Sequence, residues 1–222
     1  MIISHGWYFP DGETHLPGWL DKAGLPLNGR TAYQGAKQLA CYEEILRWGC
    51  MRRALDVGAH VGLWSYNLAH WFDRVDAFEP VEAHRACFRK NVTSPKVTLY
   101  PCALGERDGC VSIKAGVDST GDSYVDIDAL EPDVPMMSID GAKYQDVDFI
   151  KIDTEGYEEF VLRGAKDTIA RCRPVICVEQ KRQMATERFG LPALGAVKLL
   201  QGLAYQVARE ISGDYIMVPR RC

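Results

Sequence analysis

From Arg52 onward, short apolar runs alternate with helix-like patterns, and that alternation restricts the fold more than any other feature of the chain. The runs "RRALDVG" (52–58), "RVDAFEP" (74–80), "VTLYPCAL" (97–104), "DVDFIKID" (146–153) and "PVICVEQ" (174–180) read as strands. Between them, "GLWSYNLAHWF" (62–72), "EAHRACFRKNV" (82–92) and "EEFVLRGAKDTIARC" (158–172) carry helical periodicity. A further helix near 192–203 precedes two last strands, "YQVARE" and "DYIMVP", turned at Ser212-Gly213. Apolar strands separated by helices are buried on both faces, so the expected fold is α/β: a mostly parallel Rossmann-like sheet with helices on both sides. The terminal hairpin should place one antiparallel strand at or near an edge.

The rhythm breaks in two places. Gly105 to Asp128 holds several glycines and two short alternating runs, "CVSIKAG" and "SYVDID", which read as an inserted hairpin. Before the alternation begins, residues 2–16 read as a hairpin of "IISHGWYF" and "ETHL" joined around Pro10-Asp11-Gly12. Residues 17–30 read as a Gly/Pro-rich loop, and residues 31–48 as an amphipathic helix stopped by Gly49. With 222 residues the chain fits one domain: an N-terminal hairpin and loop over 1–30, expected to lie over the ligand pocket as a lid, and a core over 31–222.

A net charge of −4 with mixed signs gives no electrostatic argument for a nucleic-acid or membrane partner. No apolar run approaches the roughly 18 residues needed to span a bilayer, and the N-terminus lacks a signal-peptide pattern. The eight cysteines form no C-x-x-C pair or zinc spacing, and most sit among apolar residues, as expected of reduced thiols in a cytoplasmic protein.

In doubly wound sheets the ligand lies outside the carboxyl ends of the strands. The first strand ends in Asp56, followed by Gly58-Ala-His60-Val-Gly62, and the second ends in Glu79 and Pro80. A glycine turn followed by an acid on the next strand is the usual nucleoside site, the carboxylate accepting ribose hydroxyls. The dinucleotide fingerprint G-x-G-x-x-G places its second glycine where His60 stands, so a pyrophosphate is disfavoured; S-adenosylmethionine, which has none, fits better. Cys102, Ala103 and Leu104 end the third strand, either as an apolar wall for an adenine or as a plain strand end. The fourth strand ends in Asp153, with Glu155 two residues on; either Asp153 or Thr154 caps the next helix and Glu155 favours its dipole, or the two acids face a ligand. Glu179 ends the fifth strand beside them.

Taken together and in order, "LDVGAHVGLWS", "VDAFEPVEAHRACFRKNV", "CALGERDGCVSI" and "DFIKIDTEGYEEFVLRGA" resemble the FkbM-type methyltransferases, a class I, S-adenosylmethionine-dependent family. The resemblance runs from about Arg53 to Lys181 and leaves the N-terminal 50 residues uncovered. It implies seven strands in the order 3-2-1-4-5-7-6 and methyl transfer, usually to an oxygen of a small molecule or sugar. It puts Asp56, Gly58, His60, Gly62 and Glu79 on cofactor positions and Asp153 and Glu155 on the signature acids.

An acceptor hydroxyl must lose its proton, so a nearby base helps. Asp153 is expected beside the methionyl end, with Glu155 or Glu179 as base or hydrogen-bond partner. His15, in the N-terminal segment, is a further candidate base; Tyr33 and Gln34 are expected near the cofactor. "DSTGDS" (118–123) is either a polar turn or an acceptor contact, and Lys181 a partner of Glu179 or a surface charge. Asp153, Glu155 and Glu179 could also hold Mg²⁺ or Ca²⁺, but no dedicated ligand spacing is visible and this is the lesser reading. The rival classes are a nucleic-acid methyltransferase with the same cofactor half, a nicotinamide oxidoreductase and a non-catalytic nucleoside-binding module.

Overall fold

The structure is a computed structural model that describes residues 1–116, 119–180 and 183–220. Its centre is a seven-stranded sheet of β1 (Arg53–Val57), β2 (Arg74–Phe78), β3 (Val97–Tyr100), β4 (Val147–Ile152), β5 (Val175–Glu179), β6 (Tyr205–Ile211) and β7 (Asp214–Pro219). The order across the sheet is β3-β2-β1-β4-β5-β7-β6, the order expected. β1 to β5 are parallel, while β7 runs antiparallel to both β5 and β6. Ser212 and Gly213 both have positive φ (54° and 84°), as a two-residue hairpin turn requires.

The described helices are α1 (His15–Ala23), α2 (Gly35–Trp48), α3 (Leu63–Trp71), α4 (Glu82–Asn91), α5 (Glu158–Arg163), α6 (Lys166–Cys172), α7 (Met184–Phe189) and α8 (Gly195–Gly202). Strand residues alternate between two cores. Ala54, Val75, Phe149 and Val175 pack under α2 and α3, with Ile45 and Leu68 fully buried. Their neighbours Leu55, Ile150 and Ile176 pack under α5, α6 and α8, against Val161, Ile169 and Leu200. The period-2 alternation of a strand covered on both faces is therefore met by apolar side chains at most positions, with Asp56, Asp76 and Lys151 as buried exceptions. No helix among the described residues is long and apolar enough to cross a membrane.

The inserted segment differs from the expected hairpin by being larger. Gly109–Lys114 pairs with Tyr124–Asp126, as expected, but Val134–Met137 and Ala103–Leu104 extend this pair into a four-stranded sheet. "VTLYPCAL" is thus two strands: Pro101 has no amide hydrogen to donate, and the chain leaves the main sheet there. "EEFVLRGAKDTIARC" is likewise two helices, α5 and α6, broken at Gly164-Ala165.

The N-terminal expectations fail most. The hairpin pairs Ile2–Ser4 with Trp7–Phe9 and turns at His5-Gly6, both of positive φ, not at Pro10–Gly12. The expected loop over 17–30 contains most of α1, and a second hairpin joins Leu25–Leu27 to Arg30–Ala32. Pro17 lies in the first turn of α1, where its missing N–H costs no helical bond, and Leu16 and Leu20 bury one face. The helix expected at 31 begins at Gly35, after the left-handed Gln34.

Candidate active site

The turn after β1 holds the site together. Gly58 has φ +74°, and a Cβ there would lie 1.9 Å from the Asp153 carbonyl oxygen, so backbone conformation and close approach both require glycine. His60 also has positive φ (50°). Gly62 starts α3 at φ +90°, but its missing Cβ makes room for Val92 and Phe88 rather than for a ligand.

Two adjoining cavities open at the carboxyl ends of β1, β2 and β4. The first contains Glu79, Pro80, Cys102, Ala103 and Leu104, the polar edge and apolar wall expected for a nucleoside. The second contains His15, Tyr33, Lys151 and Glu179. Gly58, His60, Asp153 and Glu155 line both. Tyr33, expected near the cofactor, therefore lines the second cavity and not the first.

Asp56 and Gly62 line neither cavity, against expectation. Asp56 is fully buried behind the wall, where it accepts a hydrogen bond from Ser65 Oγ at 2.6 Å and pairs with Lys151 Nζ at 3.4 Å. A carboxylate on a strand covered by α3 turns to nearby donors and a nearby cation.

Glu79 is held by donors. Its Oε2 accepts from the His60 amide at 2.8 Å; its Oε1 accepts from the Val81 amide at 2.8 Å and lies 3.1 Å from His84 Nδ1. Burial opposes ionisation here, but His84, His60 and the Val81 amide outweigh it and hold the carboxyl below its usual range. His60 is driven the other way: burial, and then His84 beside it, push it down to about 3, so its ring is neutral.

Lys151, not anticipated as a site residue, sits under the shared floor. It donates to the Gly58 carbonyl at 2.7 Å and lies 3.4 Å from Asp56 and 3.8 Å from Asp153. Burial disfavours its charge, yet Asp56 and Asp153 outweigh this and push its pKa up. The signal in the sequence was a lone cation inside the apolar run "DFIKID"; such a side chain needs partners, and only the fold names them.

Beyond β4, Glu155 takes a left-handed conformation (φ 56°) and Gly156 follows at φ 105°. Arg188 donates to the Glu155 carbonyl at 2.6 Å and lies 3.5 Å from Oε2. Burial, then Asp153 and Asp122, raise the Glu155 carboxyl to about 8. Capping belongs to neither Asp153 nor Thr154. Glu158 accepts from the Thr154 and Gly156 amides at 3.0 and 2.9 Å, so the turn is bound by an acid within the following helix. Carboxylate oxygens of Asp153, Glu155 and Glu179 lie within 4.8 Å of one another.

The inserted segment supplies the roof. Thr120, Gly121 and Ser123 line the first cavity, and Ser119, Gly121 and Asp122 the second. Five residues of "DSTGDS" are thus at the site; Asp118, like Lys181, lies outside the described residues.

A seven-stranded 3-2-1-4-5-7-6 sheet with an acid-bearing cavity at its switch point is the class I methyltransferase fold. The methyltransferase FkbM domain profile matches residues 56–207, and the chain belongs to that family. The FkbM methyltransferase of Methylobacillus flagellatus KT is similar in structure, with 19% identity and a TM-score of 0.51. That match covers 75% of this chain and 42% of the other, so this chain spans less than half of that relative's length. The precorrin-6y C5,15-methyltransferase of Geobacter metallireducens GS-15 matches with 16% identity and a TM-score of 0.48, covering 91% of this chain and 96% of the other. No curated protein matches the sequence.

Proposed function

We propose that the chain is an S-adenosylmethionine-dependent methyltransferase whose acceptor is a hydroxyl on a small molecule or sugar. The observation that carries this reading is the shared boundary of the two cavities: Gly58, His60, Asp153 and Glu155 belong to both, so ligands in the two would meet there. Adjoining donor and acceptor sites are what group transfer needs, because the reacting atoms must be held about 3 Å apart and away from water.

The first cavity suits the cofactor's nucleoside. Glu79 stays ionised and offers its remaining lone pairs to ribose hydroxyls, while Cys102, Ala103 and Leu104 provide an apolar wall. When bound, S-adenosylmethionine supplies an electrophilic methyl on a positively charged sulfur. The chain's acids answer that charge: Asp153 orients the ligands at the boundary, and Glu155 takes the acceptor's proton once ionised. Glu179, beside Asp153 and Glu155, holds the acceptor in the second cavity, with His15 and Tyr33 as further contacts. The roof formed by the inserted segment and the N-terminal segment favours a small acceptor over a polymer.

Thermal unfolding with S-adenosylhomocysteine and with NAD tests the cofactor. Saturation at about 100 times the dissociation constant should stabilise the protein by about 2.7 kcal/mol for the former only. No shift with S-adenosylhomocysteine would overturn the reading. Methyl transfer should also persist in EDTA; loss of activity restored by Mg²⁺ would assign the three acids to a metal instead.

A further inference from the structure

Glu13 is a buried carboxylate that the proposed chemistry does not use. It is 1% exposed, and it precedes α1 in the N-terminal segment. Its Oε1 accepts from the Leu16 amide at 2.9 Å. Its Oε2 accepts from the Thr120 amide at 2.9 Å, from the Thr120 hydroxyl at 2.6 Å and from Ser119 Oγ at 3.4 Å. Thr120 and Ser119 belong to the turn that roofs both cavities.

The contacts continue inward. Thr120 Oγ1 lies 3.0 Å from His60 Nε2. A hydroxyl has one proton, and the 2.6 Å contact assigns it to the carboxylate. His60 must then donate its Nε2 proton to the Thr120 oxygen, which selects one neutral tautomer of the ring. His60 is joined in turn to Glu79 through its backbone amide. On the opposite side of the roof, the Arg188 guanidinium stacks 4.0 Å from the Tyr124 ring centre.

Three separated parts of the chain are therefore linked: the N-terminal and inserted segments meet at the Glu13 carboxylate, and the glycine turn joins them through the Thr120 hydroxyl. Charge-assisted hydrogen bonds of this kind are roughly twice as strong as neutral ones. The turn they hold, residues 119–124, is tied at its far end by the pairing of Tyr124 with Lys114, and the Glu13 contacts tie its near end to the N-terminal segment.

We propose that Glu13 is a positioning residue, a latch that fixes the Ser119–Tyr124 roof over both cavities and thereby controls ligand release. The latch makes the N-terminal and inserted segments close as one lid. It also orients His60 at the boundary where donor and acceptor meet.

The latch is tested without any ligand by amide hydrogen exchange in the full chain. Glu13→Gln can satisfy either the Leu16 amide or the Thr120 amide with its single oxygen, not both. Thr120→Val removes the hydroxyl and leaves the Glu13–Leu16 contact intact, so it guards against a folding defect in the first variant. Both should speed exchange over residues 119–125 by about tenfold, the worth of one charge-assisted hydrogen bond, with exchange in β1, β4 and β5 unchanged. Equal exchange over 119–125 in both variants and wild type would overturn the latch. So would acceleration spread over the central strands, because that is loss of fold.

A second measurement rests on the cofactor reading: the dissociation rate of S-adenosylhomocysteine should rise about tenfold in both variants. An unchanged rate overturns the control of release. If wild type fails to bind S-adenosylhomocysteine, the cofactor reading falls, and the exchange experiment still decides the latch.

Discussion

Glu79 and Glu155 face the same cavity, and their surroundings drive them in opposite directions. Glu79 is met by two backbone amides and a histidine, and it is held ionised. Glu155 is met by two further acids and by an arginine 3.5 Å away, and it is raised to about 8. Both follow β-strands that end at the ligand face. The difference lies in the amides around them: the glycine turn offers the His60 amide and the turn after β2 the Val81 amide to Glu79, whereas the Thr154 and Gly156 amides after β4 are taken by Glu158. A carboxylate with donors is built to bind, and one deprived of them is poised to exchange a proton.

The sharpest way to break this contrast is Glu155→Gln. If Glu155 is the base, methyl transfer should fall by about 10²- to 10⁴-fold. The wild-type rate should rise with pH as the carboxyl ionises, with a midpoint at or below about 8 because a cationic cofactor lowers it. The variant should lack that limb. Stability should move the other way. The folded pKa lies above the ordinary 4.5, so folding takes up a proton between the two values, and this stabilisation is lost as pH rises toward 8. Glutamine has no such loss, so the variant should unfold at higher temperature than wild type above pH 8, by the equivalent of about 2 kcal/mol, and show no advantage near pH 4. A variant that keeps its rate would remove Glu155 from the chemistry.

Lys151→Met attacks the floor beneath the glycine turn and Asp153. It leaves Asp56 buried without its cation, which should cost about 3–5 kcal/mol in urea unfolding. A loss below about 1 kcal/mol would mean that Asp56 is stabilised mainly by Ser65. Gly58→Ala should cost about 3 kcal/mol, since the new methyl meets the Asp153 carbonyl in a left-handed turn. The smallest effect is expected from Glu79→Gln. Affinity for S-adenosylhomocysteine should drop about thirtyfold, about 2 kcal/mol, with little change in rate at saturating cofactor. A collapse of the saturated rate would show that Glu79 and Glu155 do not divide binding from chemistry.

Legibility in the sequence follows the range of the interactions. β1, β2, β4, β5 and the last hairpin were readable because apolar runs, glycines and flanking helices lie within a few residues of one another. The strand-end residues Glu79, Asp153 and Glu179 were readable for the same reason, since topology alone puts them at the ligand face. Asp56 was placed on the right strand and the wrong side of the wall, because its direction depends on Ser65 and Lys151. The first 34 residues were misread because Pro17 and Gly18 look like a loop unless the burial of Leu16 and Leu20 is known.

By itself the sequence determined the sheet, its order through the family's motifs, and the strand ends where ligands must sit. These follow from local periodicity and from the limited ways a βα chain can wind. Only the tertiary structure decided which acid is met by donors, which is raised toward neutrality and which carboxylate ties the N-terminal segment to the inserted one. Lys151 reaches Gly58 across 93 residues, and Glu13 reaches Thr120 across 107. Protonation and closure depend on charges and donors brought together over such distances, and no local pattern records them.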